Sequence, residues 1–269
     1  MIRVGVIGAC GRMGMMVCKT VADDPDLALV AAVDRSRVGE AMGPLIGHPK
    51  LNGVNVTDEL DALTDADCEV AVDFTHPDVV RDDVRWCITH AVNLVVGTTG
   101  LTDEDLEEFR ALLEHEGGES NLIVAPNFAL GAVLMQRFAA DAARLFPAVE
   151  VIELHHDAKA DAPSGTALAM VKRILAERKA SFRGPDAESL DSVRGGDLEG
   201  VRVHSVRLPG LVAHHEVIFG GQGQTLTIRH DSMDRSSFMP GVVIAIKAIA
   251  SRPGLTVGLE PLLEPPPAR

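Results

Sequence analysis

The stretch Gly8-Ala9-Cys10-Gly11-Arg12-Met13-Gly14 decides how this chain is expected to fold. It follows a short apolar run, Val4–Ile7, which is typical of a buried parallel strand. Apolar residues then recur at helical spacing over residues 13–21. A second apolar run, residues 27–33, ends at Asp34. A strand, a glycine-rich turn, a helix and another strand in this order predict a βαβ unit.

The same turn is a candidate dinucleotide site, although its glycines follow GxxGxxG rather than GxGxxG. Glycine lets the backbone turn sharply and approach a pyrophosphate, which then faces the helix N-terminus. Arg12 could add a positive charge, and Asp34 stands where a carboxylate accepts from the adenosine ribose hydroxyls. The alternative is an ordinary glycine turn with Asp34 as a strand-end cap. Arg35 leaves both NADH and NADPH open as cofactors.

Further strand and helix patterns alternate to about residue 126, which predicts a Rossmann-type doubly wound parallel sheet in an α/β fold. We expect residues 1–126 and 235–269 to form this dinucleotide-binding domain and residues 127–234 to form an α+β second domain with an open mixed sheet, mostly antiparallel. The later predicted strands are 69–74, 92–96, 122–125, 149–155, 201–208, 214–219, 225–230 and 255–259. The later predicted helices are 78–90, 103–115 (opened by a capping box at 102–105), 129–145, 165–179 and 239–250.

The composition excludes several classes of protein. Of 269 residues, 46% are hydrophobic, which suits a sizeable core and argues against disorder. The formal net charge of −14 disfavours binding to nucleic acid or anionic membranes. Four cysteines without CxxC spacing suggest neither a zinc site nor disulfides, and we expect no metal. No apolar run reaches the ~18 residues of a membrane span, so we expect a cytoplasmic protein with a disordered proline tail at 265–267.

The most unusual stretch is residues 153–166, where adjacent histidines and a lysine follow a predicted strand and lead into a helix. Ser164 is a good N-cap, and the free N–H groups of Gly165 and Thr166 form an anion site. Lys159 can balance a second negative charge, and a histidine near neutrality can donate or accept a proton. The stretch therefore predicts a carboxylate-binding pocket with an acid–base group. The alternatives are structural histidines and, less favoured, a metal site.

Five stretches together resemble the dihydrodipicolinate reductase family, now named 4-hydroxy-tetrahydrodipicolinate reductase, of the diaminopimelate route to lysine. They are residues 8–14, 73–75, 97–100, 125–128 and 153–166. The resemblance runs in order over the whole chain short of the proline tail. It implies NAD(P)H-dependent reduction of a small dicarboxylate substrate with loss of water. It also implies a homotetramer built through the second domain's sheet.

The resemblance also assigns residues. The implied cofactor contacts are Gly8, Ala9, Cys10, Gly11, Arg12, Met13, Asp34, Arg35, Gly97, Thr98, Thr99, Ala125, Pro126, Asn127 and Phe128. The implied substrate contacts are His156, Lys159, Ser164, Gly165, Thr166 and Thr99. The position of His155 implies a proton donor or acceptor, and that of Lys159 a proton donor. Together these make His155 and Lys159 the implied catalytic pair.

One departure concerns the catalytic loop. Many family members have histidine just before the lysine, where this chain has Ala158 after Asp157. The change lowers the positive potential of the loop, and we expect altered affinity or pH dependence with activity retained. Two other functions remain open at this point: another nicotinamide-dependent imino-acid reductase or amino-acid dehydrogenase, and a non-catalytic nicotinamide sensor. A sensor would have no use for His155 and Lys159 together.

Overall fold

The computed structural model describes residues 1–179, 182, 184 and 187–263. The chain divides into two compact units: unit 1 contains residues 1–128 and the chain from 238 onward, and unit 2 contains residues 129–237. The domain boundaries expected after residues 126 and 234 lie two and three residues before these divisions. The proline tail at 265–267 lies outside the described residues.

The described residues form the following elements. The strands are β1 (Ile2–Ile7), β2 (Leu27–Val33), β3 (Val56–Thr57), β4 (Val70–Asp73), β5 (Asn93–Val96), β6 (Leu122–Val124), β7 (Ala148–His155), β8 (Gly196–Leu198), β9 (Val201–Arg207), β10 (Ala213–Gly221), β11 (Gln224–Ser232) and β12 (Leu255–Val257). The helices are α1 (Arg12–Asp23), α2 (Met42–Ile46), α3 (Asp61–Asp65), α4 (Val80–Thr89), α5 (Asp103–His115), α6 (Leu130–Ala143), α7 (Gly165–Glu177) and α8 (Met239–Ala248). None of these helices is long and apolar enough to cross a membrane.

Unit 1 is built on a seven-stranded sheet in the order β12-β6-β5-β4-β1-β2-β3, with every pair parallel. Its central strands are covered on both faces: all four residues of β4 are buried, three of them apolar. Phe109 of α5 and Leu63 of α3 are fully buried in the core against these strands. The predicted doubly wound parallel sheet is therefore confirmed, and its strand order reverses between β1 and β4, where such folds bind their ligands.

Helix α5 shows how local sequence sets a helix start. The side chain of Thr102 accepts from the backbone N–H of Asp105 at 3.3 Å, and the Asp105 carboxylate accepts from the N–H of Thr102 at 2.7 Å. This is the predicted capping box, with aspartate in the place of glutamate. The Asp105 carboxylate also pairs with Arg81 of α4 at 2.7 Å, so the cap ties two neighbouring helices together.

Unit 2 is built on a five-stranded sheet in the order β11-β10-β7-β9-β8. The β7–β9 pair is parallel and the other three pairs are antiparallel, which confirms an open mixed sheet. Buried and half-buried residues alternate along β7, and its neighbours in the core include Met170 of α7 and Phe219 of β10. One face of the sheet thus forms the core, while its strand ends carry the loop at 156–163.

Every strand and helix predicted from the sequence is present, with ends shifted by no more than two residues. Four short elements were not predicted: β3, β8, α2 and α3. Two of these are strands of two or three residues, and β8 is exposed or half-buried throughout. Elements this short carry no measurable hydrophobic period, so only their neighbours in the fold define them.

The end of β4 brings two carboxyl groups together. Asp73 is fully buried and accepts from Thr75 Oγ1 at 2.9 Å and from Thr98 Oγ1 at 2.6 Å. Asp83 of α4 lies beside it, with Thr75 Oγ1 3.5 Å from Asp83 Oδ2. Burial, and then the neighbouring Asp73 carboxylate, raise the pKa of Asp83 to about 7. Asp83 therefore holds a proton in the folded protein at pH values where the unfolded chain has lost it.

This pair predicts a pH-dependent cost to stability. Because the folded-state pKa of Asp83 is raised, the free energy of unfolding should fall as pH rises from about 4 to about 7. Asp83→Asn should remove this loss. The substitution should therefore change the free energy of unfolding more favourably at pH 8 than at pH 5, by about 1–2 kcal/mol after allowance for the partial exposure of the side chain. Urea unfolding followed by the fluorescence of Trp86, the single tryptophan, measures it.

The control is Asp82→Asn, one residue earlier in α4. The side chain of Asp82 is 82% exposed and pairs with Arg85, so its substitution should change stability almost equally at both pH values. If the free energy of unfolding changes between pH 5 and pH 8 by the same amount in both variants, Asp83 does not hold the proton.

Candidate functional site

In unit 1, the glycine turn brings the backbone of β1 and α1 very close together. Gly8 has φ +79°, and a Cβ added there would lie 2.7 Å from the carbonyl oxygen of Phe74. A Cβ added at Gly14 would lie 2.0 Å from the carbonyl oxygen of Gly8. Within the described residues no side chain caps α1 at Gly11. The first N–H groups of α1 are thus left for an anion, as a pyrophosphate requires.

Asp34 fixes this turn from the end of β2. Its carboxylate accepts from the backbone N–H of Cys10 at 2.8 Å and from the N–H and hydroxyl of Ser36 at 2.8 and 2.7 Å. The first contact links the glycine turn to β2, and the other two hold the chain that leaves β2. Arg35, next in the chain, is exposed. The carboxylate expected from the sequence is therefore at the strand end beside the turn.

A cavity of about 440 Å³ opens at this edge of the sheet. Its lining includes four of the expected cofactor contacts: Gly8, Gly11, Asp34 and Arg35. The remaining lining residues, for which no cofactor contact was predicted, are Ile7, Val33, Asp58, Leu60, Phe74, Thr75, His76, Val79 and Asp83. Phe74 and Thr75 lie within residues 73–75, one of the stretches that resemble the family, and that resemblance could have marked them as residues of this site. The backbone turn without room for Cβ atoms, the strand-end carboxylate and the cavity together fit a dinucleotide.

The other expected cofactor contacts lie outside the lining of this cavity. Gly97, Thr98 and Thr99 directly follow β5, and residues 125–128 follow β6, so both loops leave the carboxyl edge of the sheet. Thr98 is tied to Asp73, and the rings of Phe74 and Phe128 are 5.8 Å apart. Ala9, Cys10, Arg12 and Met13 belong to the turn and the start of α1 without lining the cavity.

In unit 2, a buried carboxylate organises the predicted catalytic loop. Glu153 of β7 is fully buried, and His155 Nδ1 donates to its Oε2. Arg207 at the end of β9 donates to both carboxylate oxygens, at 2.9 and 2.7 Å. Burial alone would raise the pKa of Glu153, but hydrogen bonds from Arg207, Ser205 and His155 lower it to about 2. Glu153 is therefore an ionised group in the interior.

The carboxylate also determines the state of His155. Since an ionised carboxylate can only accept, His155 carries its proton on Nδ1 and leaves Nε2 for another partner. Burial lowers the pKa of His155, and the hydrogen bond to Glu153 opposes that effect in part. The ring also packs edge-on against His215 of β10, with centroids 5.4 Å apart. At neutral pH, His155 is a neutral imidazole in a fixed orientation.

The start of α7 is held from two sides. Ser164 Oγ accepts from the N–H of Ala167 at 3.2 Å, which makes Ser164 the expected N-cap, and lies 3.1 Å from His215 Nε2. Burial lowers the pKa of His215 to about 4, so this histidine is a neutral partner of the serine hydroxyl. A Cβ added at Gly165 would meet no atom within 4 Å, so there is open space beside the first residue of α7.

Lys159 is engaged by a carboxylate of its own loop. Its ammonium donates to Asp161 Oδ1 at 2.6 Å, and its side chain is 23% exposed. His156 is exposed, as are Asp157 and Ala158. His155, Lys159 and the start of α7 thus belong to one loop system in unit 2, and His156 extends from it into solvent.

Several groups of this site had no role predicted from the sequence. Arg207 and His215 lie outside the stretch that was singled out, whereas Glu153 and Asp161 lie within it. Sheet register brings the first two to the loop: His155 pairs with Arg207, and Glu153 with His215. Such non-local pairing leaves no local signal in a single sequence. Among the described residues, no three His, Cys, Asp or Glu side chains lie together as a metal ion would require.

Both parts of the chain match one family. Residues 2–128 match the N-terminal part of dihydrodipicolinate reductase, and residues 131–263 match its C-terminal part. A relative from Mycolicibacterium vanbaalenii named 4-hydroxy-tetrahydrodipicolinate reductase is 50% identical, covering 97% of this chain and 99% of its own length. A relative from Nocardia farcinica with the same name is 51% identical, covering 98% and 99%.

The fold agrees with these matches. The solved structure of dipicolinate-bound dihydrodipicolinate reductase from Paenisporosarcina sp. TG-14 is 42% identical, with a TM-score of 0.86 over 97% of this chain and 98% of that one. An amine dehydrogenase from Mycobacterium smegmatis, 18% identical with a TM-score of 0.65, shares the fold alone. From the two matched regions and these relatives, this chain belongs to the dihydrodipicolinate reductase family.

Proposed function

We propose that this protein reduces 4-hydroxy-tetrahydrodipicolinate to tetrahydrodipicolinate in the diaminopimelate route to lysine. The reaction takes up a hydride and a proton and releases water. The relatives at about half identity over nearly the full chain are named for this reaction. The observation that carries the proposal is the loop of unit 2, where a neutral His155, Lys159 and an open helix N-terminus lie together. A dicarboxylate substrate requires such a combination of proton and anion sites.

The N–H groups of Gly165 and Thr166, capped by Ser164, are proposed to bind one substrate carboxylate. Lys159 and His156 are proposed to bind the other. Because Lys159 is paired with Asp161, the substrate must replace that carboxylate as the partner of the ammonium. Thr99, exposed after β5 in unit 1, is proposed as a further substrate contact.

The proton chemistry is assigned to His155 and Lys159. A nicotinamide dinucleotide supplies the hydride when bound. His155 offers Nε2, the ring nitrogen that Glu153 leaves available, and Lys159 offers a protonated ammonium. A dianionic substrate beside His155 would raise the pKa of its imidazole, which burial lowers in the free protein. Substrate binding thus favours the protonated form of His155 that can act as an acid.

We also propose a homotetramer assembled through the sheet of unit 2, in the cytoplasm. This proposal is supported by β11, an edge strand of nine residues that exposes Leu226. Sedimentation equilibrium of the purified chain tests it, and a monomer at micromolar concentration would contradict it.

The first test of function is turnover. Substrate is generated from pyruvate and aspartate semialdehyde by a coupled synthase, and nicotinamide oxidation is followed with the native protein. His155→Ala should lower kcat by about 10²–10⁴-fold with little change in cofactor affinity, since a lost acid–base group costs that much. Lys159→Ala should lower kcat and raise the KM for substrate.

His204→Ala is the matched control, because His204 hydrogen-bonds to Glu150 on the same sheet at 2.9 Å and has no proposed role in the reaction. It should keep turnover within about twofold, since a single partly exposed pair contributes little. Oxidation of the nicotinamide cofactor when acyclic 2-oxo acids and ammonia replace the cyclic substrate would favour an imino-acid reductase. Cofactor binding without any oxidation would favour a sensor.

For the cofactor, the family implies a nicotinamide dinucleotide, and we propose that both NADH and NADPH are used. Asp34 is proposed to accept from the ribose hydroxyls. It would do so while it also holds the N–H of Cys10. Arg35 lines the same cavity and is exposed, so its guanidinium is available for a 2′-phosphate.

Arg35→Ala should therefore raise the Kd for NADPH about tenfold, which corresponds to about 1.4 kcal/mol, and leave the Kd for NADH within about twofold. Fluorescence titration of each cofactor measures both constants. Arg37→Ala is the control, because Arg37 is exposed and already pairs with Glu40 at 3.5 Å. Equal losses for both cofactors in Arg35→Ala would refute a 2′-phosphate contact.

A further inference from the structure

Glu153 accepts hydrogen bonds from three separate parts of unit 2. His155 donates from the same strand, Arg207 donates twice from the end of β9, and the backbone N–H of Ser164 donates at 3.3 Å from the start of α7. Within the described residues its side chain has no exposed surface. A buried ionised carboxylate is costly unless every lone pair finds a donor. Here the donors are Arg207, the proposed acid–base histidine and the start of α7.

The strand pattern explains how this arrangement arises. Side chains two residues apart point to the same side of a strand, which places Glu153 and His155 side by side. The parallel register of β7 and β9 sets His155 opposite Arg207. Arg207 also donates to the carbonyl oxygen of Asp161 at 2.6 Å. The ion pair therefore holds both the strand end and the far end of the loop that contains Lys159.

A single carboxylate thus fixes two things at once. Through Oε2 it orients the imidazole and leaves Nε2 as the reactive nitrogen, and through Oε1 it holds the N–H of Ser164. The direction of Nε2 and the start of α7 are consequently defined by the same group. Catalysis gains most from groups that are already oriented when the substrate binds.

We propose that Glu153 and Arg207 are positioning residues of the reaction: together they hold His155 in one tautomer and one orientation relative to the carboxylate-binding start of α7. This rests on the proposed function for its kinetic consequence, and on geometry alone for its effect on His155. Neither residue needs to touch the substrate.

The charges around His155 make the proposal testable. The groups that face it are Glu153 on β7, Arg207 on β9, His215 on β10 and Lys159 in the loop. Glu153 favours the protonated imidazole, whereas Arg207 and Lys159 disfavour it. His215 is neutral and contributes no charge at pH values above about 5. Removing Glu153 or Arg207 should therefore move the pKa of His155 in opposite directions.

The alternative is an ion pair that only fastens β7 to β9. Glu150 of β7 is a matched example: it accepts from His204 of β9 at 2.9 Å and from Arg194, which precedes β8, at 2.6 Å. Its side chain is 38% exposed, and it has no contact with the catalytic loop in the described structure. Glu150 provides a control with the same types of partner.

The first experiment is an NMR titration of His155 in the full-length protein without ligands. Glu153→Gln should lower the pKa of His155, and Arg207→Gln should raise it, each by at least half a pH unit. Glu150→Gln should leave the pKa unchanged. Shifts of the same sign in the two variants, or shifts no larger than in Glu150→Gln, would overturn the proposal. If Glu153→Gln fails to fold, the sign of the shift in Arg207→Gln and in the milder Glu153→Asp decides the question.

The second experiment is the pH profile of turnover. Glu153→Gln should lower kcat by about 10–100-fold, less than loss of the acid–base group itself, and keep the substrate KM within about threefold. The part of the pH profile that is set by protonation of His155 should shift in the same direction as the pKa of His155 measured by NMR in that variant. A fall in kcat without this shift would assign Glu153 a structural role. If the native protein shows no turnover, the proposed reaction fails, while the NMR shifts still decide the positioning of His155.

Discussion

The loops of this protein depend on carboxylates placed at the ends of strands. Asp34 holds the N–H of Cys10 from the end of β2, Asp73 holds Thr98 from the end of β4, and Glu153 holds the N–H of Ser164 near the end of β7. Asp34 and Asp73 each join a strand to a loop that follows another strand, whereas Glu153 joins β7 to the far end of the loop that follows β7 itself. Loop donors that are shielded from water, here two backbone N–H groups and the hydroxyl of Thr98, need an acceptor, and a carboxylate is a strong one. The geometry of both candidate sites follows from this constraint.

Asp34 shows what such a placement requires of the backbone. The turn that it holds passes so close to Phe74 and to its own helix that Gly8 and Gly14 cannot carry a side chain without displacement of main-chain atoms. The carboxylate and the two glycines therefore act as one unit: the glycines allow the close approach, and Asp34 fixes it. The same compact turn leaves the N-terminus of α1 open toward the cavity.

The parts of the fold predicted from the sequence are those with local signals. The glycine turn, the capping box of α5 and the apolar runs of β1, β2 and β4 each lie within a few consecutive residues. Likewise, the helix cap at Ser164 was predictable from its neighbours. Arg207 and His215 were not, because only the register of β9 and β10 against β7 brings them to Glu153. Asp83 was missed for a related reason: its proton depends on burial beside Asp73.

The way in which the loop at 156–163 is held bears on which of its positions the fold depends on. Its two ends are fixed through main-chain atoms: Arg207 binds the carbonyl oxygen of Asp161, Glu153 binds the N–H of Ser164, and Leu208 donates to the carbonyl oxygen of His155. Main-chain contacts do not depend on which side chain a position carries. The side chains at positions 157 and 158, both exposed, take no part in these three contacts. A different residue at either position can therefore change the charge of the loop and leave its three anchoring contacts in place.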